Sequence, residues 1–132
     1  MGYGAITGQS YVFPVPIPDG GTGATTAQGA RQNLEVGKTV FGTATYGSGS
    51  WWQSGGLWYQ DQTINGLQTN MRYQPIIYLI TSGSATDIAN QKAAFSLLAD
   101  FGETGENRLR LHTSGSTAPS VNFTVQIVGE VV

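Results

Sequence analysis

Beyond Lys38 the chain is cut by clusters of glycine, serine, threonine and asparagine into short apolar runs. The clusters include G-S-G-S at 47–50 and S-G-S-T-A-P-S at 114–120, residue types that favour turns for steric and hydrogen-bonding reasons. Between them, strands are expected at Thr39–Tyr46, Leu57–Gln60, Gln74–Thr81, Ala93–Ala99, Arg108–Thr113 and Val121–Val128. Short strands at this spacing predict a mainly β fold, an antiparallel β-sandwich or a barrel-like knob. Asp87–Ala99 fits two periods, because Ile88, Lys92, Phe95 and Leu98 would also line one side of a helix; a strand is the expectation there.

At 132 residues the chain has the length of one domain with a short appendage, enough to bury about two-thirds of its surface. Charged residues make up only 11% while aromatics make up another 11%, a balance that argues against disorder. Six basic against eight acidic residues leave no cationic field, so neither nucleic acid nor a membrane surface is an expected partner. Ile76–Ile80, the longest apolar stretch, is too short to span a bilayer, and Met1–Ser10 reads as neither leader nor anchor. Cysteine is absent, which removes disulfides, thiolate metal sites and thiol nucleophiles together. No cofactor is expected.

Ahead of the strands, Tyr11–Pro18 reads Y-V-F-P-V-P-I-P. Tyr11, Phe13, Val15 and Ile17 alternate with prolines that cannot donate to a sheet ladder, which predicts an extended arm. Such an arm cannot bury its apolar row alone. Asp19–Ala24 is too rich in glycine for a regular element. Thr25 with Gln28 fits a capping box and Gly37 a C-terminal stop, framing one short helix near Thr26–Glu35 with an apolar stripe of Ala27, Ala30 and Leu34. A helix so short, carrying Gly29, needs contacts from elsewhere to hold it.

The sixteen residues from Asp19 to Leu34, D-G-G-T-G-A-T-T-A-Q-G-A-R-Q-N-L, closely resemble the G-G-T-G-A-T-T-A-x-x-A-R-x-N-L repeat of bacteriophage tail fibres and side tail fibres. Where the repeat commonly continues Asn-Leu-Gly, this chain has Asn33-Leu34-Glu35. The resemblance implies a homotrimeric fibre located in the virion, whose distal part contacts the bacterial surface. On that reading residues 1–18 are an extended fibre arm, 19–37 a turn and helix at the trimer junction, and 38–132 a β-rich distal knob. The physical reading agrees, because arm, turn and small-residue helix each lack a core that copies around an axis would supply. A phosphate loop is the other reading of Gly21-x-Gly23 before a helix. It lacks the third glycine of the dinucleotide fingerprint and a following βαβ unit.

All three tryptophans fall between Tyr46 and Asp61, among glycines and amides. Aromatic faces that stack on sugars, with Gln, Asn or Asp taking the hydroxyls, have this makeup, so Trp51, Trp52, Trp58 and Tyr59 are the candidate receptor-binding residues. Core or subunit packing is the competing role for such rings. Strict alternation places Trp51 and Trp52 on opposite faces of a strand.

Asp100, Glu103 and Glu106 lie in a glycine-rich turn without the D-x-D-G pattern of calcium loops, so a solvated acidic turn is expected and no metal site. Arg108, Arg110 and His112 share one face of a strand, a row that would suit an anionic sugar or simply face solvent. No nucleophile, base and orienter can be assembled around the single histidine, so the expectation is a binder and not an enzyme. The expected partners are copies of the chain in a homotrimer, a host-surface polysaccharide or protein, and upstream fibre or other virion proteins. The rivals are a decoration, collar or head-fibre protein that binds other virion proteins, and a tail-associated enzyme.

Overall fold

The structure, a computed structural model, describes residues 14–17, 20–100 and 102–132. The expected arm over residues 1–18, including Tyr11, Phe13 and Pro18, lies outside them except for residues 14–17. By its contacts the chain divides between Lys38 and Thr39.

In the first unit the glycine turn and its helix close on each other. Gly20 and Gly23 take left-handed φ of 88° and 68°, where a side chain would be strained. The backbone N–H of Gly23 donates to the Val15 carbonyl at 2.8 Å. Helix α1 runs Ala27–Asn33, shorter than expected, and its cap is Thr26 rather than Thr25: the Thr26 hydroxyl accepts from the Gly29 N–H at 3.0 Å. Gly29 is needed for that closeness, because a Cβ there would sit 3.0 Å from Thr26 Oγ1 and 3.1 Å from Ala24 Cβ.

The far end of α1 stops at Glu35, not Gly37. Glu35 takes φ 59°, and the N–H groups of Val36 and Glu35 bond the carbonyls of Arg31 and Gln32, the paired bonds of a Schellman stop. Asn33 returns its amide to the Thr22 carbonyl at 2.8 Å, tying the helix to the turn before it. No residue of α1 is buried, and Leu34 and Val36 remain about half exposed.

The second unit is mainly β, with two antiparallel sheets. Strands β1 (Lys38–Tyr46), β7 (Phe123–Val131) and β4 (Tyr73–Ile80) form one sheet in the order β1-β7-β4. Strands β2 (Trp52–Ser54), β3 (Leu57–Thr63), β6 (Arg108–His112) and β5 (Glu103–Gly105) form the other in the order β2-β3-β6-β5. Among the described residues neither sheet closes on itself, an arrangement consistent with a sandwich. Five expected strands appear; β2 and β5, of three residues each, were not expected.

The sixth expected strand is a helix. Helix α2 spans Ala85–Ser96 between β4 and β5, so the described residues hold two helices and not one. Its start is a capping box: the Ser84 hydroxyl accepts from the Asp87 N–H at 3.1 Å while the Asp87 carboxylate accepts from the Ser84 N–H at 3.0 Å. Ile88, Gln91, Ala94 and Phe95 make the shielded stripe, with the Gln91 amide bonded to the Ser82 backbone, and Lys92 points outward. Helical period won over β-propensity because both the cap and one largely apolar stripe agree with it.

One core serves both sheets. Val40, Tyr46, Phe123, Val125 and Ile127 enter it from the first sheet and Leu109 and Leu111 from the second. Rings dominate one end, where Phe123 stacks on Tyr46 at 5.6 Å and on Trp51 at 6.2 Å and meets Phe95 edge-on at 5.9 Å. The Tyr46 hydroxyl, whose pKa burial pushes well above its usual value, donates to the Leu109 carbonyl at 2.8 Å. No helix among the described residues is long and apolar enough to cross a membrane.

Candidate functional site

The residues in question begin where β1 ends. Gln60, fully buried on the inner side of β3, accepts from the Gly47 N–H at 2.9 Å and donates to the Gly47 carbonyl at 2.8 Å. That pair of hydrogen bonds fixes the start of the 47–51 turn, and the Ser48 N–H is held by the Asn122 side chain at 2.8 Å. The turn delivers Trp51 inward, 8% exposed, and Trp52 outward, 41% exposed, on the opposite sides that alternation predicts.

Register then assembles the outer face. Trp52 lies across from Tyr59, and Tyr59 across from His112, so three rings from three strands stand side by side. Their centroids are 6.0 Å and 5.4 Å apart, with interplanar angles of 22° and 24°. Two residues further along, Asp61 faces Arg110 and accepts its Nε and Nη2 at 2.7 and 3.0 Å, a two-pronged pair. The Arg110 guanidinium reaches on to lie 5.3 Å from the Trp52 ring centroid. Arg108 approaches the same carboxylate at 3.5 Å.

Chiefly through the Arg110 hydrogen bond, the Asp61 carboxyl is held below the usual carboxylate range, against the opposing effect of its partial burial. The same bond raises Arg110. Glu103 on β5 lies across from Arg110, so this face carries Asp61 and Glu103 against Arg108 and Arg110 and is close to neutral. The arrangement offers flat rings beside fixed hydrogen-bonding groups without a net field.

Of the four expected binding residues, the structure brings two together at the surface, Trp52 and Tyr59. Trp51 belongs to the core, and Trp58 packs against the core with its indole N–H donating to the Ser116 carbonyl at 2.9 Å. Arg108, Arg110 and His112 do share a face, but His112 is buried under Tyr59 and both arginines lean on Asp61, so the row is not a free cationic strip. Asp61 was not singled out in the sequence. Its signal was the polar-apolar alternation of Arg108–His112 set against Tyr59–Thr63, which names a pair only once register is known.

Asp100, Glu103 and Glu106 do not converge: Glu103 is in β5 and Glu106 in the turn to β6. No cluster of three carboxylates or histidines stands together among the described residues. A cleft of about 790 Å³ opens elsewhere, against Ile77, Phe95, Leu98, Leu109 and Leu111. Gln74, Ser96 and Asp100 also line it, and none of its lining residues carries a buried polar atom without a partner.

The chain matches no family model, no curated protein and no solved structure.

Proposed function

We propose that this chain is the distal domain of a homotrimeric bacteriophage tail fibre, carried on the virion, that binds a glycan or protein on the host surface. The observation that carries the binding reading is the exposed Trp52 ring stacked on half-buried Tyr59, with the Asp61–Arg110 pair beside it. Rings already stacked and a guanidinium already fixed lose little freedom when a ligand arrives, the condition under which aromatic and arginine contacts bind well. The near-neutral charge of the face favours a neutral saccharide over a polyanion. Weak single contacts multiplied across three copies and several fibres would supply avidity.

The fibre part of the reading is supported by the motif from Gly20 to Asn33. Gly20, Gly23, Thr26, Gly29 and Asn33 each serve a distinct geometric need in one turn and helix, which is a reason for such a repeat to keep them. Helix α1 buries none of its residues within the chain, which is what a helix completed by neighbouring copies would show. The rival, a decoration, collar or head-fibre protein, draws on the exposed apolar side of β1 and β4.

Sedimentation of the purified protein with host cells, or with isolated surface polysaccharide, tests the proposal. Wild type is expected to bind and Trp52→Ala to bind at least tenfold more weakly, with polysaccharide chain length unchanged. Equal binding by both proteins would remove the site, and release of reducing ends would move the protein to the enzyme class.

A further inference from the structure

The outer sides of the two sheets differ in charge. Outside β2-β3-β6-β5 stand Asp61, Glu103, Arg108 and Arg110. Outside β1-β7-β4 stand Phe41, Ile76, Tyr78 and Ile80, at 64%, 56%, 52% and 38% exposure. They share one side: Val40 and Tyr46 point into the core, so Phe41 and Thr45 point away, and Thr45 bonds the hydroxyl of Thr124 at 2.9 Å. Thr124 is the partner of Ile80, and two-residue steps along β4 place Tyr78 and Ile76 with it. Among the described residues of this side, charge enters only at one end, where Arg72 and Glu130 pair at 3.2 Å.

Half-buried antiparallel sheets put charged and polar residues on the wet side. This side instead alternates aromatic and β-branched residues with threonine and glutamine, as a strand covered on both faces does. Its four large apolar side chains expose on the order of 450 Å², mid-range for the largest apolar patch of a lone soluble protein, a patch that is often functional. A stable protein interface buries roughly 800 Å² per partner, so these four side chains would supply about half of one.

We infer that the outer side of β1-β7-β4 packs against a second copy of this chain. The charge pattern of this side favours a copy. A face that meets its own kind must avoid setting like charges together, and a face with none between Phe41 and Ile80 meets that condition without any matching pattern. A charged partner would find nothing there to complement. The inference goes beyond the receptor reading, since it puts subunit contact within the β-rich unit and not only in the segment before Lys38.

Light scattering of the full chain tests it. Wild type is expected at a multiple of 14.0 kDa at micromolar concentration, and Ile76→Lys with Tyr78→Lys is expected to need at least tenfold more protein to assemble. A monomeric wild type, or a double variant that assembles as readily, overturns the inference. Because the chain has no cysteine, single thiols give a second measurement that does not depend on the lysine variant folding. Labelling of Gln126→Cys by a maleimide should slow at least tenfold between nanomolar and micromolar protein, while Ser54→Cys on the other sheet should not change. Equal concentration dependence at the two positions overturns the inference. Cell binding by wild type is read separately, so loss of the receptor reading with this pattern intact would leave the subunit contact standing.

Discussion

Asp61 and Arg110 meet across the β3–β6 register as a two-pronged ion pair at 2.7 and 3.0 Å, and that pair decides what the arginines of this sheet can do. Arg110 is committed to a carboxylate and to the Trp52 ring, so it stiffens the aromatic row instead of offering a free cation. Asp61→Asn removes the carboxylate that both Arg108 and Arg110 approach. The expected result is a stability loss of about 1 kcal/mol or less, together with new, salt-sensitive binding of anionic polysaccharide.

The same pair gives a pH signature. The folded Asp61 carboxyl titrates below its unfolded value of about 3.9, so its contribution is complete above that pH and is lost as pH falls through the folded value. Thermal melts of wild type and Asp61→Asn should therefore differ by a constant amount from pH 8 to pH 5 and draw together as pH falls below the unfolded value and through the folded one. A gap that does not narrow anywhere below the unfolded value would place the effect in packing and not in charge.

Trp51 and Trp52 are neighbours in sequence with opposite consequences. Trp51→Ala empties part of a ring cluster around Phe123 and should cost about 3 to 5 kcal/mol, read as a lowered unfolding midpoint. Trp52→Ala removes a ring stacked on Tyr59 at the surface and should cost about 1 kcal/mol or less. Its expected effect is on cell binding, weakened tenfold or more, which is about 1.4 kcal/mol.

Two substitutions around α1 should act in opposite directions. Gly23→Ala forces a side chain into φ 68° with the Asn33 amide 3.3 Å from the new Cβ, and should destabilise the turn by about 1 kcal/mol. Glu35→Gly relieves φ 59° at the Schellman stop and should stabilise the helix by roughly 0.5 to 1 kcal/mol. Hydrogen exchange of the amides over residues 30–36 would read both, with faster exchange in the first variant and slower in the second.

Much of the β framework was legible because long alternating segments such as Phe123–Val131 carry their own inside and outside, residue by residue. Helix α2 was misread as a strand, although the sequence carries a signal for it. Ser84-x-x-Asp87 is a capping pattern just before an apolar stripe, and it outweighs the ambiguous period of Asp87–Ala99. Strands β2 and β5 are too short for any period, and they exist because β3 and β6 offer their edges. The site was half legible. Composition marked Trp52 and Tyr59, and spacing marked Arg108, Arg110 and His112, but these were separate candidates until the β3–β6 register joined them. Pairing register depends on both strands and on the loops between them, which no single segment encodes.

Gln60 connects the core to the site, and its replacement should show that connection. It is the largest fully buried polar side chain on β3, and its amide satisfies both the N–H and the carbonyl of Gly47 while accepting from Gln62 at 2.9 Å. Gln60→Leu keeps the volume and removes every one of these bonds, leaving Gly47 polar groups without their buried partner. The expected loss is about 2 to 4 kcal/mol, well above that of a surface change. The turn released by the substitution is the one that sets Trp51 in the core and Trp52 on the face. Cell binding should therefore weaken even at temperatures where the variant is fully folded, and Trp52 fluorescence, read in a Trp51→Phe, Trp58→Phe background, should gain mobility. Gln60→Glu keeps an acceptor for the Gly47 N–H, but in its ionised form it turns a buried charge toward the Gly47 carbonyl, and should destabilise at least as much as Gln60→Leu at neutral pH. A Gln60→Leu variant that is destabilised yet binds cells with wild-type strength would show that the turn is held by Asn122 and the Trp51 ring alone.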